Sequence, residues 1–361
     1  MTLDRTPLRS RPDFCRALPA WALAAGLACV GPTAAVADAT PADLLEGAFV
    51  GGERKIALGL LSGHREDPTA LPIEKELDRA SGYVPGGGRI DFAIAPILRY
   101  DRNINGGMAS DRLEVGPFLF TFPEEALAKE GVVIGARGAM RGVTNIATAT
   151  ALTGTASLEL GYAPEHQLGT AKAVLGGCVS HRATKRVFVD GCVTGVHDKR
   201  DLVESSSLIS SLEVGRTVTA PGVAAHLALE AGRVDRWTDY DFSVGQPFIG
   251  LSADIVTGAW GSVGISGQAF AEREDYTLPV ARIAADVTTR AFDRPLRVAA
   301  YRERARGGYH LGESRSALNV GASVTIGLTD AVSVVLGYER VDARNAFYDE
   351  EGVDMQFRAE F

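Results

Sequence analysis

The chain has 361 residues, of which 46% are hydrophobic and 23% charged, with a net charge of −8 and a mean hydropathy of +0.04. This composition excludes a disordered chain, and no run of 18 or more apolar residues exists that could cross a bilayer as a helix. The acidic pI of about 5.4 argues against nucleic-acid binding. Glycine accounts for 41 residues, which favours glycine-rich turns and strands over a helix bundle.

The first segment has the pattern of a secretory signal peptide. Four arginines within residues 1–16 precede an apolar stretch at 17–30 and then a run of small residues that includes Ala35 and Ala37. A basic region, an apolar region and an Ala-x-Ala site in that order are typical of export signals. Residues 1–37 are therefore predicted to be a signal peptide. Lipid attachment at Cys29 is a disfavoured alternative, because the residue three positions before that cysteine is Gly26, where a larger aliphatic residue such as Leu is expected.

Residues 38–88 are predicted to form a short helical periplasmic segment that ends in a Gly-rich linker. Between Pro41 and Val84 apolar residues recur at spacings of three and four, which is the helical period. Asp67-Pro68 divides the pattern, and the linker Pro85-Gly86-Gly87-Gly88 follows. No Lys-Ser/Thr pair follows the glycines, so a phosphate-binding loop is disfavoured.

From residue 89 onward the hydrophobic period changes to two. The alternation predicts a transmembrane antiparallel β-barrel of about 14 to 16 strands over 89–361, because one face of each strand then meets lipid and the other the lumen. A soluble β-sandwich also alternates, but strands of ten residues or more are long for one and match a tilted bilayer crossing. The candidate strands are 89–100, 112–122, 131–142, 144–163 (one long or two short), 170–181, 185–197, 206–217, 222–234, 246–258, 260–272, 277–290, 294–305, 317–328, 331–343 and 352–361.

The last strand resembles the signal by which the barrel assembly machinery recognises outer-membrane proteins. Its apolar positions are Met355, Phe357, Ala359 and the terminal Phe361, in alternation with polar residues. The localisation that follows is the outer membrane of a Gram-negative bacterium, with outer-membrane lipids and the assembly machinery as partners. Nucleic acid is not expected as a partner.

Two cysteines remain after the predicted signal, Cys178 and Cys192. In an oxidising compartment an even pair is predicted to form a disulfide. Each lies on the polar side of an alternating strand, on either side of a turn near 184–186, so both are expected to face the lumen opposite one another. A redox-active pair is the disfavoured alternative, because the Cys-x-x-Cys spacing is absent.

Catalytic motifs are not evident. The six histidines have no metal-binding spacing, and there is no Gly-x-Ser-x-Gly elbow. His181 and His197 are interpreted as hydrogen-bonding residues at the barrel rim, and His226 with Glu230 could form an acid–base pair in the lumen. The sequence therefore predicts no enzyme, no cofactor and no metal, with an outer-membrane lipase or protease as the remote alternative.

The segment from Ile90 to Gly107, which includes Tyr100-Asp101-Arg102-Asn103-Ile104-Asn105, resembles the first barrel strand and turn of the surface lipoprotein assembly modifier family. Residues 57–61 and 73–80 around Asp67-Pro68 resemble the tetratricopeptide-type helix pair before the barrel in that family. The resemblance implies a barrel of about 14 strands that helps exported proteins or lipoproteins reach the cell surface, and it assigns the turn to Tyr100, Asp101, Asn103 and Asn105. Arg102 departs from the small polar residue of that turn, and the chain has room for only one repeat.

Two functions therefore compete. The first is a non-enzymatic barrel that aids export or surface display of a protein or lipoprotein client, with the helical segment at its periplasmic mouth. The second is a general or solute-selective porin-type diffusion channel, whose ionic preference is set by charged lumen residues. The candidates for that role are Arg282, Asp286, Glu339, Arg358 and Glu360.

Overall fold

The computed structural model describes residues 39–51, 53–63, 70–86, 88–115, 118–238, 243–292, 294–310, 313–329, 332–343 and 350–359. The predicted signal peptide, Asp67-Pro68, Glu360 and Phe361 lie outside the described residues. The helices are α1 (Pro41–Gly51), α2 (Arg54–Gly63) and α3 (Ala70–Ala80). The strands are β1 (Gly88–Asp101), β2 (Arg112–Val115), β3 (Phe118–Thr121), β4 (Gly131–Ala147), β5 (Thr150–Ala163), β6 (Leu168–Arg182), β7 (Val187–Lys199), β8 (Glu204–Ala220), β9 (Val223–Thr238), β10 (Ser243–Val256), β11 (Gly261–Phe270), β12 (Leu278–Ala291), β13 (Arg294–His310), β14 (Glu313–Gly327), β15 (Val332–Ala343) and β16 (Glu350–Ala359).

Fourteen of these strands form a closed antiparallel barrel, which confirms the predicted fold class. Each strand pairs with its neighbours in chain order from β4 to β16, and β1 lies between β4 and β16. The closing pair joins Leu98 to Phe357 and Tyr100 to Met355. The seam between β1 and β16 is paired over Ile97–Tyr100, and each of the other barrel strands pairs with both of its neighbours, so backbone hydrogen bonds are made between strands, as a lipid environment requires.

The predicted strand at 112–122 is wrong as a barrel strand. The structure divides it into β2 and β3, which pair only with each other as a separate two-stranded sheet between β1 and β4. The sequence carries Gly116-Pro117 at the centre of this stretch, and such a dipeptide is a strong turn signal. Without that strand, the 15 candidate segments reduce to the 14 of the barrel.

The outer face of the barrel is apolar. Phe92 is 72% exposed, Leu175 69% and Leu251 66%, whereas the alternate positions of the same strands face inward. Val353, Met355 and Phe357 of the last strand also point outward, in agreement with the predicted alternation. An apolar outer wall around a closed barrel is the surface that a bilayer covers. None of the described helices is long and apolar enough to span a membrane.

The two ends of the barrel differ in the length of their connections. At one end β4 joins β5, and β8 joins β9, through two residues each. At the other end 29 residues connect β1 to β4, and seven connect β11 to β12. Short turns face the periplasm and long loops the outside in barrels of this kind, so the two-residue turns mark the periplasmic end.

Candidate functional site in the barrel lumen

The three helices lie inside the barrel at its periplasmic end. Helix α1 packs against β10, β11 and β12, α2 against β8 and β9, and α3 against β1. Leu44, Ala48 and Ile56 share one buried cluster with the wall residues Ala224 and Val256. The sequence predicts these helices at the periplasmic mouth. The structure instead places them within the lumen, and we call the described residues 41–51, 53–63 and 70–80 the plug.

A charged contact fastens α2 to the barrel wall. The Nζ atom of Lys55 lies 2.5 Å from Oδ2 of Asp190 on β7 and 2.7 Å from Oε1 of Glu213 on β8. These carboxylates are directly paired in the β7–β8 register, so one ammonium group bridges both and offsets one of their two charges. Burial lowers the pKa of Lys55, but the two carboxylates outweigh it and the net pKa is raised. Lys55 therefore stays charged, and its removal would leave two carboxylates without a cation.

An aromatic cluster lies beneath Lys55. Phe188 of β7 is fully buried, and its ring centroid lies 5.9 Å from the Lys55 ammonium and 6.3 Å from the ring of Tyr83, which follows α3. Leu58 of α2 joins the same buried cluster. Burial, followed by the charge of Asp190, raises the pKa of the Tyr83 hydroxyl to about 12. The plug is thus held by apolar packing as well as by charge.

A close backbone approach brings α2 to β8. A Cβ atom at Gly59 would lie 2.6 Å from Cγ2 of Thr217, a distance that real Cβ contacts do not reach. The Thr217 hydroxyl also donates to the carbonyl oxygen of Lys55 at 3.2 Å. Glycine is therefore required at position 59 for the helix to lie this close to the wall.

The third helix and the two residues Gly82 and Tyr83 that follow it are anchored to the wall separately. Asp78 of α3 is buried and accepts hydrogen bonds from both terminal nitrogens of Arg182 on β6. Asn145 of β4 donates to the carbonyl oxygen of Gly82 at 3.0 Å. The backbone amide of Ala149 donates to the carbonyl oxygen of Tyr83 at 3.2 Å. The segment before the barrel is thereby fixed to the periplasmic turns of β4–β5 and β6–β7.

Glu53, between α1 and α2, is the pH-sensitive contact of the plug. Burial, together with Asp254 and Asp286, raises the pKa of Glu53 from 4.5 to about 7, and Arg297 opposes this shift. Ser262 on β11 lies 3.4 Å from its carboxylate. The docked plug therefore binds a proton more tightly than an undocked one.

The sign of the pH effect follows from that raised pKa. As pH rises from about 4.5 through 7, the docked state loses stability, because Glu53 then ionises beside two other carboxylates. We expect the conductance of the purified protein in planar bilayers to increase between pH 5.5 and pH 8. Glu53→Gln should remove this increase, and a wild-type conductance independent of pH over that range would contradict the assignment.

The extracellular end is occupied by the segment after β1. Ile104 is fully buried against the inward-facing Val133 and Ala163. Asn105 is 1% exposed; its Nδ2 donates to the Leu127 carbonyl at 2.7 Å, and its Oδ1 accepts from the Lys129 amide at 2.9 Å. Ile104 and the predicted turn residue Asn105 are thus structural anchors that fold the β1–β4 connection against the inner wall.

The other residues of that turn act locally. Asn103 Nδ2 donates to the carbonyl oxygen of Gly107 at 2.9 Å, and the Asn103 amide donates to Oδ1 of Asp101 at 3.0 Å. Tyr100 lies at the outer face, where it pairs in register with Met355. Arg200 of the β7–β8 connection donates to the carbonyl oxygen of Asn103. The turn therefore connects two extracellular loops.

Below this turn lies a polar cavity of about 350 Å³, which we call the chamber. A row of alternating charge crosses its wall, from Arg137 on β4 to Glu159 on β5, Lys172 on β6 and Asp198 on β7, each directly paired with the next. The remaining charged residues that line it are Arg99, Asp101 and Arg200.

Each acidic residue of the chamber has an arginine partner, whereas two of the basic residues have no carboxylate partner among the described residues. Glu159 pairs with Arg99; Asp101 lies 3.4 Å from Arg99, and Asp198 lies 3.4 Å from Arg200. Within the part of the chain that the structure describes, no carboxylate lies within 4.0 Å of the Arg137 or Lys172 side-chain nitrogens. The charge left available to a solute in the chamber is therefore positive.

The cysteine pair takes the predicted place. Cys178 and Cys192 are directly paired between β6 and β7, with Cα atoms 4.1 Å apart, and form a disulfide. Their strand neighbours Leu175, Val179 and Val193 face outward, so both cysteines face the lumen as predicted. The disulfide stiffens the wall that carries Asp190 and Arg182, the partners of the plug.

Cys178→Ser is expected to release one thiol. Thiol titration of the denatured chain that begins at residue 38 should then give one reactive group, from Cys192, whereas the same chain without the substitution should give none. The variant should still fold, because the pairing of β6 and β7 continues well beyond the disulfide on both sides. Two reactive thiols in the wild type would contradict the disulfide.

His181, His197 and His226 each lie within hydrogen-bond distance of a hydroxyl group on a neighbouring strand. His226 is 3% exposed beneath the plug, with its Nδ1 3.2 Å from the Thr217 hydroxyl, and Glu230 instead lies 3.4 Å from Gln268. The predicted His226–Glu230 pair is therefore not formed. His181 and His197 bond Thr150 and Ser206, in line with a role in local hydrogen bonding.

The ionic candidates of the lumen lie on the far wall. Arg282 lies 3.6 Å from Glu303, Asp286 lies 3.4 Å from Arg297, and Glu339 accepts from the Tyr301 hydroxyl at 2.6 Å. Each is thus already paired. Arg358 lies on β16 in register with Ile97. Arg137 and Lys172 were not predicted from the sequence. Only the register between strands shows that the acidic residues beside them, Glu159 and Asp198, pair with other arginines.

No protein-family model and no curated protein matches the sequence. Similar solved structures include the trimer form of OmpT, an outer membrane protein of Vibrio cholerae (TM-score 0.40, 10% identity, 76% of this chain and 99% of that chain). They also include the outer membrane channel DcaP of Acinetobacter baumannii (0.42, 8%, 78% and 100%) and OccAB4 of the same organism (0.39, 9%, 78% and 99%).

This chain is an outer-membrane β-barrel protein. The assignment rests on its own closed barrel of 14 strands and its apolar outer wall.

Proposed function

We propose that the chain is a solute channel of the outer membrane which its own N-terminal helices close from inside. The observation that carries this proposal is the position of the plug, whose helices contact β1 and β8 to β12 from within the lumen. A barrel whose lumen holds its own plug conducts solute only when the plug moves or leaves a passage.

The plug has the features of a part that moves. Its main polar contacts are single charged groups, Lys55, Asp78 and Glu53, rather than a continuous backbone sheet with the wall. The apolar part of the interface consists of small clusters of five to seven buried residues. The docked and undocked states of the plug differ by only a few contacts of this kind. Protonation of one group or loss of one cation therefore shifts the equilibrium between the two states.

The chamber favours small anions as solutes. Arg137 and Lys172 lie two strands apart, about 10 Å between their backbones, on either side of a glutamate that Arg99 already neutralises. A carboxylate or phosphate group between them would gain two charge-assisted hydrogen bonds. The volume of about 350 Å³ suits a small organic anion and is far below that of a folded domain.

The experiment is bilayer conductance of the refolded mature chain. We expect small, infrequent openings with a preference for anions, which become frequent when the contact between Lys55 and the wall is removed. A large, permanently open state of the wild type would contradict closure by the plug.

An export scaffold similar to the surface lipoprotein assembly modifiers is the second candidate. The observation that favours it is the Tyr100–Asn105 turn, in which Ile104 and Asn105 are buried anchors that order the extracellular end. Deletion of the gene, followed by surface proteomics, separates the two. Loss of one surface lipoprotein with unchanged uptake of small anions would favour the scaffold over the channel.

A further inference from the structure

Two arginines interrupt the apolar outer wall of β13. Tyr301 and Glu303 face the lumen, where they bond Glu339 and Asn319, so Arg302 and Arg304 between and beyond them face outward. Both arginines are exposed. Their positions are not explained by the lumen or the plug.

The neighbours of both arginines on the adjacent strands are apolar. Arg302 is paired with Ile283 on β12 and Val320 on β14, and Arg304 with Ala281 and Leu318. Between Arg294, the first residue of the strand, and Arg302, the outward positions of β13 are apolar as well. These positions are Leu296, Val298 and Ala300.

The height of the arginines places them near the outer boundary of the bilayer. Arg302 lies eight residues beyond Arg294, the first residue of β13 at the periplasmic turn. At about 3.4 Å per residue and a tilt of roughly 40°, this is roughly 20 Å along the membrane normal, close to the upper limit of an apolar band about 25 Å tall. Their guanidinium groups can extend further outward, toward the head groups of the outer leaflet.

A third outward-facing arginine, in the same row of paired residues on β15, has carboxylate partners, unlike Arg302 and Arg304 in the part of the chain that is described. Arg340 on β15 is separated from Arg302 by Val320 alone, and it lies 2.7 Å from Asp342 and 4.0 Å from Glu351. Over the described ranges of the chain, no carboxylate comes within 4.0 Å of the Arg302 or Arg304 guanidinium. An exposed guanidinium on a lipid-facing wall is unfavourable unless an anion accompanies it.

We propose that Arg302 and Arg304 bind the phosphate groups of a phosphorylated glycolipid in the outer leaflet. Guanidinium binds phosphate through two parallel hydrogen bonds, and two arginines two positions apart on one strand present donors about 7 Å apart along it. Ile283 and Val320, on either side, offer apolar surface to the acyl chains. The site lies outside the barrel and does not depend on the proposed channel function.

The test is lipid retention by the purified barrel in detergent, measured by native mass spectrometry with added lipid A as the probe. Arg302→Gln/Arg304→Gln should lower the bound fraction on the order of tenfold, while Arg302→Lys/Arg304→Lys retains most of it. Arg216→Gln is the matched control, because Arg216 is also exposed on the outer wall but near the periplasmic turn of β8. It should bind lipid A as the wild type does.

Heat-modifiable electrophoretic mobility checks that each variant is a folded barrel. Lipid A lacking its phosphates should bind weakly to every variant, and phosphatidylglycerol or inorganic phosphate should compete poorly. Equal retention of lipid A by the folded double Gln variant and the wild type would overturn the proposal. Displacement by phosphatidylglycerol at equal concentration would also overturn it, because the site would then recognise any anionic phospholipid.

Discussion

Lys55→Met should raise the open probability of the channel on the order of tenfold. The substitution keeps an unbranched chain of similar length but leaves Asp190 and Glu213 without their cation. Breaking a buried pair in this way costs about 3–5 kcal/mol, which we discount to about 1–2 kcal/mol because the Lys55 side chain is 31% exposed. A change of 1.4 kcal/mol is tenfold in an equilibrium, and single-channel recording measures it directly.

Lys75→Met is the matched control for this experiment. Lys75 belongs to the same plug but is exposed on α3, so its loss should leave the open probability unchanged. An equal increase in both variants would show that loss of positive charge on the plug, rather than the contact with the wall, sets the closed state. No increase in Lys55→Met would contradict the role of this contact.

Arg137→Gln combined with Lys172→Gln should lower the anion preference of the open channel roughly threefold to tenfold. A unit charge about 4 Å from a passing ion changes its energy by about 1 kcal/mol even at the dielectric constant of water, and both removed charges lack a carboxylate partner. Glutamine preserves hydrogen bonding in the chamber. The reversal potential in a salt gradient gives the permeability ratio.

Lys199→Gln is the control for the chamber variants. Lys199 lies on β7, is 62% exposed and pairs with Glu204 outside the chamber, so its loss should not change the selectivity. An unchanged reversal potential in Arg137→Gln/Lys172→Gln would exclude the chamber as the place where ions are selected.

The alternation of apolar and polar residues in the sequence was sufficient to predict most of the barrel strands. Residues such as Leu175, Cys178 and Val193 could be assigned to the correct face because the side-chain period of a strand is two, and this parity also predicted the disulfide. The strand count was uncertain because the short β2–β3 hairpin alternates over too few residues to distinguish it from a barrel strand.

The lumen was not accessible to the same reasoning. The helical period of residues 41–63 predicts helices, but it does not show which part of the protein packs against them. The contact between Lys55 and Asp190 joins residues 135 positions apart, so local sequence patterns do not predict it. The charge of the chamber is set by the strands next to β5, which carries Glu159, and by Arg99 of β1, whose side chain extends past β4 to pair with Glu159. One signal was present: Gly47 and Gly59 within short helices, where glycine is unfavourable unless a close approach requires it.

The most direct test of the internal plug is hydrogen exchange of the refolded chain from residue 38 onward, followed by mass spectrometry of peptides that cover residues 54–63. A helix docked in the lumen through Lys55 and Gly59 should exchange slowly in the wild type and in Lys75→Met, and should lose protection in Lys55→Met before the barrel strands do. Rapid exchange of this segment in the folded wild-type barrel would contradict a channel closed from inside by its own helices.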